Sequence, residues 1–168
     1  MAAVEYRGMT LVIPDNDSEW REHFKLARQR HRLCLRACAA CGRLRYPPSH
    51  GCPWCQSLEW SWREVSGQGV VYSYEIVCHA IQPGFKEWTP YPVVLVELDE
   101  QRGTPNPDEA LRVVANLVTT DFRPEAEARL AIGRRVRVVF QDLSDDFALP
   151  QFTLTDEPPE GRVWSLPA

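Results

Sequence analysis

The sequence predicts a mainly β protein in which one N-terminal helix precedes a small metal-bound ribbon and a five-stranded β-barrel. Three observations predict this architecture: two C-x2-C pairs, one helical apolar pattern, and five later segments with strand composition. The chain has 168 residues, is 44% hydrophobic and carries a net charge of −4, which fits one globular domain with a small appended module. The longest apolar runs are strand-sized, so we expect no membrane-spanning segment.

Residues 1–33 are predicted to form an arm and a helix. Residues 1–15 look like a loose arm. The helix is predicted from about Ser18 to Arg30, because Asp17 or Ser18 can cap its first turn and arginines suit its C-terminal end. Three apolar side chains fall on one narrow stripe at helical spacing, namely Trp20, Phe24 and Ala27. This stripe predicts a docking face, either for the rest of the chain or for a partner.

Four cysteines form two C-x2-C pairs separated by ten residues, and they are Cys38, Cys41, Cys52 and Cys55. Each pair can occupy a tight turn that directs two sulfurs inward, and four thiolates can surround one tetrahedral metal ion at about 2.3 Å. We therefore predict a ribbon over residues 34–60 that holds structural zinc. Iron is the alternative, because sulfur ligation alone does not distinguish the two metals. Four thiolates leave no open position for a substrate, so we expect no catalysis at the metal.

Disulfide bonds and a thioredoxin-like redox centre are the alternatives to a metal site for these cysteines. The opening "MAAVEYRGMT" has no apolar signal-peptide core, so export to an oxidising compartment is not indicated and we expect a cytoplasmic protein. The paired C-x2-C turns also lack the strand-to-helix context of a reactive thiol. Cys34 and Cys78 are left over, and Cys34, in the alternating "RLCLRAC", is predicted to be a packing residue rather than a fifth ligand.

Residues 61–155 are predicted to form the barrel. Five segments, the first of which begins just before this range, alternate or are rich in β-branched and aromatic residues: "LEWSWREV", "GVVYSYEIV", "PVVLVELD", "ALRVVANLVT" and "RRVRVVFQDL". Five strands without an intervening helix imply an antiparallel sheet that closes on itself, which predicts a small barrel of the oligonucleotide/oligosaccharide-binding (OB) type. The acidic "RPEAEARLAIG" can form one helical turn across it. The tail, residues 156–168, could insert into a partner or cap the barrel edge.

The ordered motifs resemble a family in which a rubredoxin-like zinc ribbon precedes an OB-fold and whose genes commonly lie beside those of thiolase-like, acyl-CoA-handling enzymes. The resemblance runs from about Trp20 to Phe152. It rests on "RACAACGRLRYPP", "CPWCQS", "WREVSGQGVVYSYEIVCH", "PGF", "PYPVVLVELDE", "VANLV" and "IGRRVRVVFQD". The connection "DEQRGTPNPDEALRV", around residues 99–113, is longer than the family's pattern leads us to expect, and the C-terminal tail extends beyond the family's usual end.

The resemblance implies a non-catalytic accessory subunit that docks on a thiolase-like partner. The favoured partner reaction is retro-aldol cleavage of a β-hydroxyacyl-CoA, as in bacterial steroid side-chain breakdown. The resemblance also implies a 2+2 heterotetramer, because a two-fold symmetric thiolase dimer would recruit two copies. A CoA ester would lie at or near the interface between the subunits.

The long loop "CHAIQPGFKEWTPYP" is the first candidate contact surface. We expect His79, Gly84, Phe85 and Trp88 to contact the partner or the acyl-CoA chain, since glycine permits close backbone approach and the two rings are rigid apolar anchors. The alternative is a proline-stiffened lid over the open end of the barrel.

A basic patch beside the ribbon is the second candidate. Arg36, Arg43 and Arg45 could hold the phosphates of CoA, and its adenine could stack on Trp54, a residue that could instead shield the metal from water. The alternative for the three arginines is ordinary solvent-exposed charge.

A nucleic-acid-binding module is the main rival function, because zinc ribbons and OB-folds both bind nucleic acids. Stacking could come from Tyr72, Tyr74 and Trp62, and phosphate contacts from Arg134, Arg135 and Arg137. The alternation in "RRVRVVF" places these arginines partly on opposite faces, and the sequence pI of about 5.6 is far from basic. Nucleic acid is therefore the less favoured ligand.

Overall fold

The computed structural model describes residues 2–159, 161 and 163–165. This part of the chain has one α-helix, α1 (Glu19–Arg30), and strands β1 (Ala2–Tyr6), β2 (Met9–Ile13), β3 (Leu33–Cys38), β4 (Leu44–Arg45), β5 (Trp60–Val65), β6 (Gln68–Val77), β7 (Tyr91–Leu98), β8 (Arg112–Asn116), β9 (Arg135–Ser144) and β10 (Phe147–Leu154). The predicted fold class is thereby confirmed. Among the described residues, no helix is both long and apolar enough to cross a membrane.

Helix α1 begins where its capping residue predicts. The Ser18 hydroxyl accepts a hydrogen bond from the Trp20 amide at 3.2 Å, so Ser18 rather than Asp17 is the cap. The helix ends at His31, whose backbone is left-handed (φ 46°) and whose amide donates to the Ala27 carbonyl. Its buried face contacts β3, β9 and β10, and the Phe24 ring stacks on that of Phe147 at 4.6 Å. The docking face therefore packs on the chain's own barrel.

The prediction of a loose N-terminal arm is wrong, because residues 2–13 form a β-hairpin. Strands β1 and β2 pair antiparallel from Ala2 opposite Ile13 to Tyr6 opposite Met9. The two turn residues between them, Arg7 and Gly8, both have positive φ, at 54° and 70°, as two-residue hairpin turns of type I′ require. The hairpin buries Val4 and Ile13 against Phe147 at the end of the barrel.

The ribbon forms a three-stranded sheet in the order β4-β3-β5. Every residue of β3 is buried: Leu33, Leu35 and Ala37 lie in the barrel core, and Arg36, on the opposite face of the strand, pairs with Glu19 of α1. The segment "LEWSWREV" does form a strand, but that strand is β5 and it pairs with β3 from Cys38 opposite Trp60 to Leu33 opposite Val65. The prediction that this segment is the first barrel strand is therefore corrected.

The barrel is a five-stranded antiparallel sheet in the order β10-β9-β6-β7-β8. It closes where the Val118 amide donates to the Phe152 carbonyl at 2.8 Å, beside a parallel bridge between Leu117 and Phe152. Strand β10, with sequence "FALPQFTL", completes the sheet and was not predicted. The core lies inside the barrel and extends to the ribbon, and its fully buried members include Leu33, Leu35, Val71, Val94, Val96, Leu98, Leu117, Val136 and Phe152.

Gly69 of β6 lies opposite Leu98 of β7, close to the β7 backbone. A methyl group at this position would lie inside van der Waals contact with the Glu97 carbonyl oxygen and 2.8 Å from a methyl of Val96. The carbonyl belongs to the backbone of β7, so it cannot rotate away as the end of a long side chain could. The tight packing of β6 on β7 therefore requires glycine here.

We predict that Gly69→Ala lowers the free energy of unfolding by about 1–3 kcal/mol, because overpacking forces backbone displacement. Gly51→Ala is the matched control, since the added methyl would make only an ordinary contact of 3.7 Å with Leu58, and we expect it to be neutral. Urea denaturation of the purified variants measures both effects. Equal stability of the two variants would contradict the packing argument.

Candidate functional site

The four cysteines of the two C-x2-C pairs converge, as their spacing predicts. Their sulfur atoms all lie within 4.8 Å of one another. Sulfurs from different pairs approach to 3.5 Å (Cys38 and Cys55) and 3.6 Å (Cys41 and Cys52). Four ligands at about 2.3 Å from a tetrahedral ion would be separated by about 3.8 Å, so these distances match the spacing of a metal site.

The two cysteine turns have the same backbone geometry. In the first, the Gly42 amide donates to the Cys38 carbonyl and the Cys38 amide donates to the Arg43 carbonyl, both at 2.9 Å. In the second, the Gln56 amide donates to Cys52 and the Cys52 amide to Ser57, also at 2.9 Å. Gly42 and Gln56, which follow the second cysteine of each pair, are both left-handed, at φ 73° and 62°. This repeat directs two sulfurs from each turn to one point.

Backbone amides favour thiolates at the buried cysteines of the cluster. The amides of Cys41 and Ala40 outweigh the burial of Cys38 and lower its pKa to about 6. At Cys52 burial raises the pKa, but the amides of Cys55 and Trp54, together with hydrogen bonds to the Cys41 and Cys55 sulfurs, outweigh burial and the net pKa is lowered. These amides therefore prepare the two positions to bind a cation.

Hydrogen bonds among the sulfurs keep a proton on Cys55 when no cation is bound. The Ser57 amide lowers the pKa of Cys55, but hydrogen bonds to the sulfurs of Cys38, Cys52 and Cys41, together with burial, raise it to about 12. A divalent ion at the centre would replace this proton and favour four thiolates. The donor set therefore fits a metal ion, and its four sulfurs would fill a tetrahedral shell.

Arg36 and Arg45, predicted as phosphate ligands, are buried structural residues, and that prediction is corrected. Arg36 is 2% exposed; it pairs with Glu19 at 2.9 Å and donates to the Ser49 carbonyl at 3.0 Å. Its guanidinium also lies 3.6 Å from the centre of the Trp60 ring. Arg45 donates to the carbonyls of Ser49 and His50. Both arginines support the turn that precedes Cys52 and are not available to a ligand.

Arg43 and Trp54 lie together at the outer side of the ribbon. The Arg43 guanidinium is 5.6 Å from the centre of the Trp54 ring, and both residues are half-buried.

Cys34 is buried away from the four sulfurs, and its carbonyl accepts a hydrogen bond from the His23 ring at 3.0 Å. Burial raises the pKa of the Cys34 thiol.

The loop between β6 and β7 packs on the N-terminal hairpin. Phe85 contacts the Tyr6 ring edge-on at 6.0 Å, and the Arg7 guanidinium lies 3.1 Å from the centre of the Trp88 ring. A methyl on Gly84 would lie 2.9 Å from the Arg7 carbonyl oxygen. Trp88 is only 5% exposed, which corrects its prediction as a partner anchor. By contrast, His79 is exposed.

Part of the C-terminal tail caps the barrel edge. The Ile132 amide donates to the Trp164 carbonyl at 2.7 Å and Trp164 donates back at 3.3 Å, while the Trp164 ring lies 6.4 Å from that of Tyr74. Residues 160, 162 and 166–168 of the predicted tail lie outside the described part of the chain.

The residues of the predicted nucleic-acid groove do not share one surface. Tyr74 packs against the barrel core and Tyr72 lies under Arg112, 3.6 Å from its guanidinium. Arg135 is buried and makes ion pairs with Asp99 and Glu157, whereas Arg137 is exposed. Arg135 and Arg137 lie two residues apart and so on one face of β9, and burial rather than strand alternation separates them.

Sequence reasoning missed a cavity between the end of α1 and strand β9. It has a volume of about 500 Å³, and its lining includes His31, Arg32, Phe122, Arg137 and Phe140. These residues come from three separate segments, so no sequence motif links them. The only sequence signal was the basic stretch that ends α1.

Comparison with known proteins agrees with the two-part architecture. Residues 27–61 match the family described as ChsH2, rubredoxin-like zinc ribbon domain, and residues 62–141 match the one described as ChsH2, C-terminal OB-fold domain. A solved structure described as Ltp2-ChsH2(DUF35) aldolase is 33% identical with a TM-score of 0.64, and the match covers 84% of this chain and 98% of that chain.

Two curated relatives extend the comparison. A probable enoyl-CoA hydratase alpha subunit from Thermomonospora curvata is 40% identical over 129 residues, which is 77% of this chain and 35% of that protein. The chain therefore spans about a third of that relative. A DUF35 domain-containing scaffold protein from Methanocaldococcus jannaschii is 30% identical over 128 residues, covering 76% of this chain and 77% of that protein.

The two equivalent left-handed positions of the cysteine turns make a matched pair of predictions. Gln56→Gly should stabilise the ribbon by about 0.5–1 kcal/mol, because glycine adopts a left-handed backbone without steric cost. Gly42→Ala should destabilise it by a similar amount, since no atom lies within 4 Å of the added methyl and only the backbone conformation is penalised. Thermal denaturation and chelator competition measure both variants. A destabilised Gln56→Gly variant would refute the argument.

Proposed function

The chain belongs to the family of ChsH2 and DUF35 proteins, which join a rubredoxin-like zinc ribbon to an OB-fold, and on this premise we propose that it is an accessory subunit of a thiolase-like acyl-CoA enzyme. The observation that carries the proposal is the likeness to the Ltp2-ChsH2(DUF35) aldolase, of which one chain is matched over 98% of its length. The names of the two curated relatives, one a scaffold protein and one a subunit, support the same role.

The favoured reaction of the complex is retro-aldol cleavage of a β-hydroxyacyl-CoA, with a steroid side chain as the acyl group. In this reaction a base takes the proton of the β-hydroxyl group, and the β carbon becomes a carbonyl carbon. The bond between the α and β carbons breaks, and its electron pair stays on the acyl-CoA fragment, which is then protonated at the α carbon. We assign these steps to the partner. Three histidines of this chain already make structural contacts: His23 with the Cys34 carbonyl, His31 with Asp142 and His50 with Glu19.

The chain would order loops of the partner and help to enclose the CoA ester. The loop between β6 and β7 is the proposed contact. Ile81, beside His79, is 93% exposed, while Phe85 and Trp88 fasten the same loop to the hairpin. When a loop is already held in place by its contacts with the hairpin, an exposed apolar side chain on it loses little conformational entropy on docking. A two-fold symmetric partner dimer would bind two copies and give a 2+2 heterotetramer.

Zinc is the metal that we propose for the four-cysteine centre. When bound, it would be held by Cys38, Cys41, Cys52 and Cys55 and would act structurally, by fixing the two cysteine turns. Such a site needs its thiols reduced, which agrees with a cytoplasmic protein.

Loss of the metal should unfold the ribbon. Because structural zinc contributes on the order of 10–16 kcal/mol to small ribbons, Cys38→Ser or a strong chelator should abolish the cooperative melting of the ribbon and reduce soluble yield. Cys78→Ser is the control, since Cys78 is exposed and outside the cluster. Elemental analysis of the purified chain identifies the metal. A metal-free chain with unchanged melting would contradict the structural role.

Affinity capture of the tagged chain from its own cells tests the proposed function. We expect a thiolase-like protein in stoichiometric amount, and the reconstituted pair should cleave a β-hydroxyacyl-CoA at least about tenfold faster than the partner alone. Recovery of nucleic acid with ribosomal or polymerase components, and of no acyl-CoA enzyme, would replace the proposal with a nucleic-acid-binding role.

The same capture locates the contact. Ile81→Asp should reduce partner recovery by at least about tenfold, because it places a charge in a desolvated interface. Leu58→Asp makes the same change at another exposed apolar position, 61% exposed on the ribbon, and should leave recovery unchanged. Equal recovery with both variants would exclude the loop as the contact.

A further inference from the structure

The cavity between α1 and β9 lies where β9 extends beyond Gln68, the first residue of strand β6. The two strands pair only from Gln68 opposite Arg137 to Val70 opposite Arg135, and the Val138 amide makes one further bond to the Gly67 carbonyl. Beyond that point the β9 segment 138–140 has no β6 neighbour and forms one wall of the cavity. Its volume of about 500 Å³ falls in the range of small-molecule sites, roughly 300–1,000 Å³.

The lining of this cavity carries basic and no acidic side chains. Its ionisable members are His31, Arg32 and Arg137, in a chain whose net charge is −4. The Arg137 side chain is exposed and makes no hydrogen bond or ion pair with any described residue. The side chain of Arg32 is 61% exposed and makes an ion pair with Glu64 at 3.5 Å. Arg137 is therefore the guanidinium open to an anion, and an anion at Arg32 would share it with the Glu64 carboxylate.

Aromatic rings lie beside these charges. The His31 ring is stacked on the Phe140 ring, with centroids 5.9 Å apart and an angle of 19° between planes. The Nε2 atom of His31 lies 2.8 Å from Asp142, which holds that stack in place. Phe122 also lines the cavity, in a left-handed conformation with φ 56°. The cavity therefore combines flat apolar surfaces with arginines, as a phosphorylated aromatic ligand requires.

The adjoining groove, by contrast, has acidic side chains in its lining. It has a volume of about 710 Å³ and shares Arg137 with the cavity, but its lining includes Glu125, Asp156 and Glu157. Carboxylates at such positions repel phosphate. Of these two spaces, the smaller one is thus suited to an anion.

We propose that the cavity binds the phosphorylated nucleotide end of a coenzyme A ester. Arg137 and Arg32 donate to phosphate oxygens, and the purine packs against the walls formed by Phe122 and Phe140. This inference rests on the proposed function and replaces Arg36 and Arg45 as phosphate ligands, since both are buried.

Calorimetric titration of the full-length, metal-loaded chain tests the inference, with adenosine 3′,5′-bisphosphate and CoA as probes. We expect one bound molecule per chain, and binding of unphosphorylated adenosine should be at least about tenfold weaker. Arg137→Gln and Arg32→Gln should each weaken the bisphosphate at least about tenfold. Arg63→Gln is the control, since Arg63 is an exposed arginine on β5 outside the cavity, and its affinity should change by less than about twofold.

Two results would overturn the inference. One is the absence of saturable bisphosphate binding, or binding that Arg137→Gln and Arg32→Gln leave unchanged. The other is tighter, Arg137-dependent binding of a single-stranded oligonucleotide than of the bisphosphate, which would make the cavity part of a nucleic-acid groove. Capture of the partner by a chain that binds no bisphosphate would reject the inference and keep the accessory role. Bisphosphate binding by a chain that captures no thiolase-like partner would support the inference and reject the accessory role.

Discussion

The ion pair between the buried Arg36 and the half-buried Glu19 is the interaction on which the arrangement of helix, ribbon and barrel depends. A guanidinium that is 2% exposed requires a carboxylate and further acceptors, or its burial would cost several kcal/mol. Glu19 supplies the charge from the first turn of α1, and the Ser49 carbonyl accepts from the ribbon. The His50 and Arg36 contacts lower the pKa of Glu19, which keeps it ionised. The start of the helix is thereby held against the ribbon.

The rest of the fold follows from this attachment. The four sulfurs shape the two cysteine turns, and Arg36 and Arg45 bind the segment that leads into the second turn. With its first turn held there, α1 lies across β9 and β10 and covers Phe147. The hairpin packs on the same residue. Metal binding, helix docking and closure of the barrel end are thus successive parts of one packing arrangement.

Local chemistry explains which parts of the structure could be predicted from the sequence. Cysteine spacing sets ligand geometry within each turn, and Ser18 signals the helix start, so both were predictable. Strand β10 was missed because Pro150 interrupts its pattern and α1 buries its outer face, leaving no alternation to detect. The burial of Arg36 depends on Glu19, which lies far away in the chain, so a count of basic residues could only suggest an exposed patch. The cavity could not be predicted from the sequence for the same reason, since the segments that form its walls meet only in the folded chain.

One residue connects the two surfaces to which function is assigned. The Arg7 guanidinium covers the Trp88 ring in the loop between β6 and β7, and it donates to the Phe122 carbonyl, at 3.4 Å, beside the cavity. The hairpin that carries Arg7 therefore supports both the loop that presents Ile81 and one wall of the cavity. Loops that bind ligands usually owe their geometry to a rigid scaffold. Here the scaffold is the N-terminal hairpin, which explains how a loop with Ile81 so exposed can keep a defined shape.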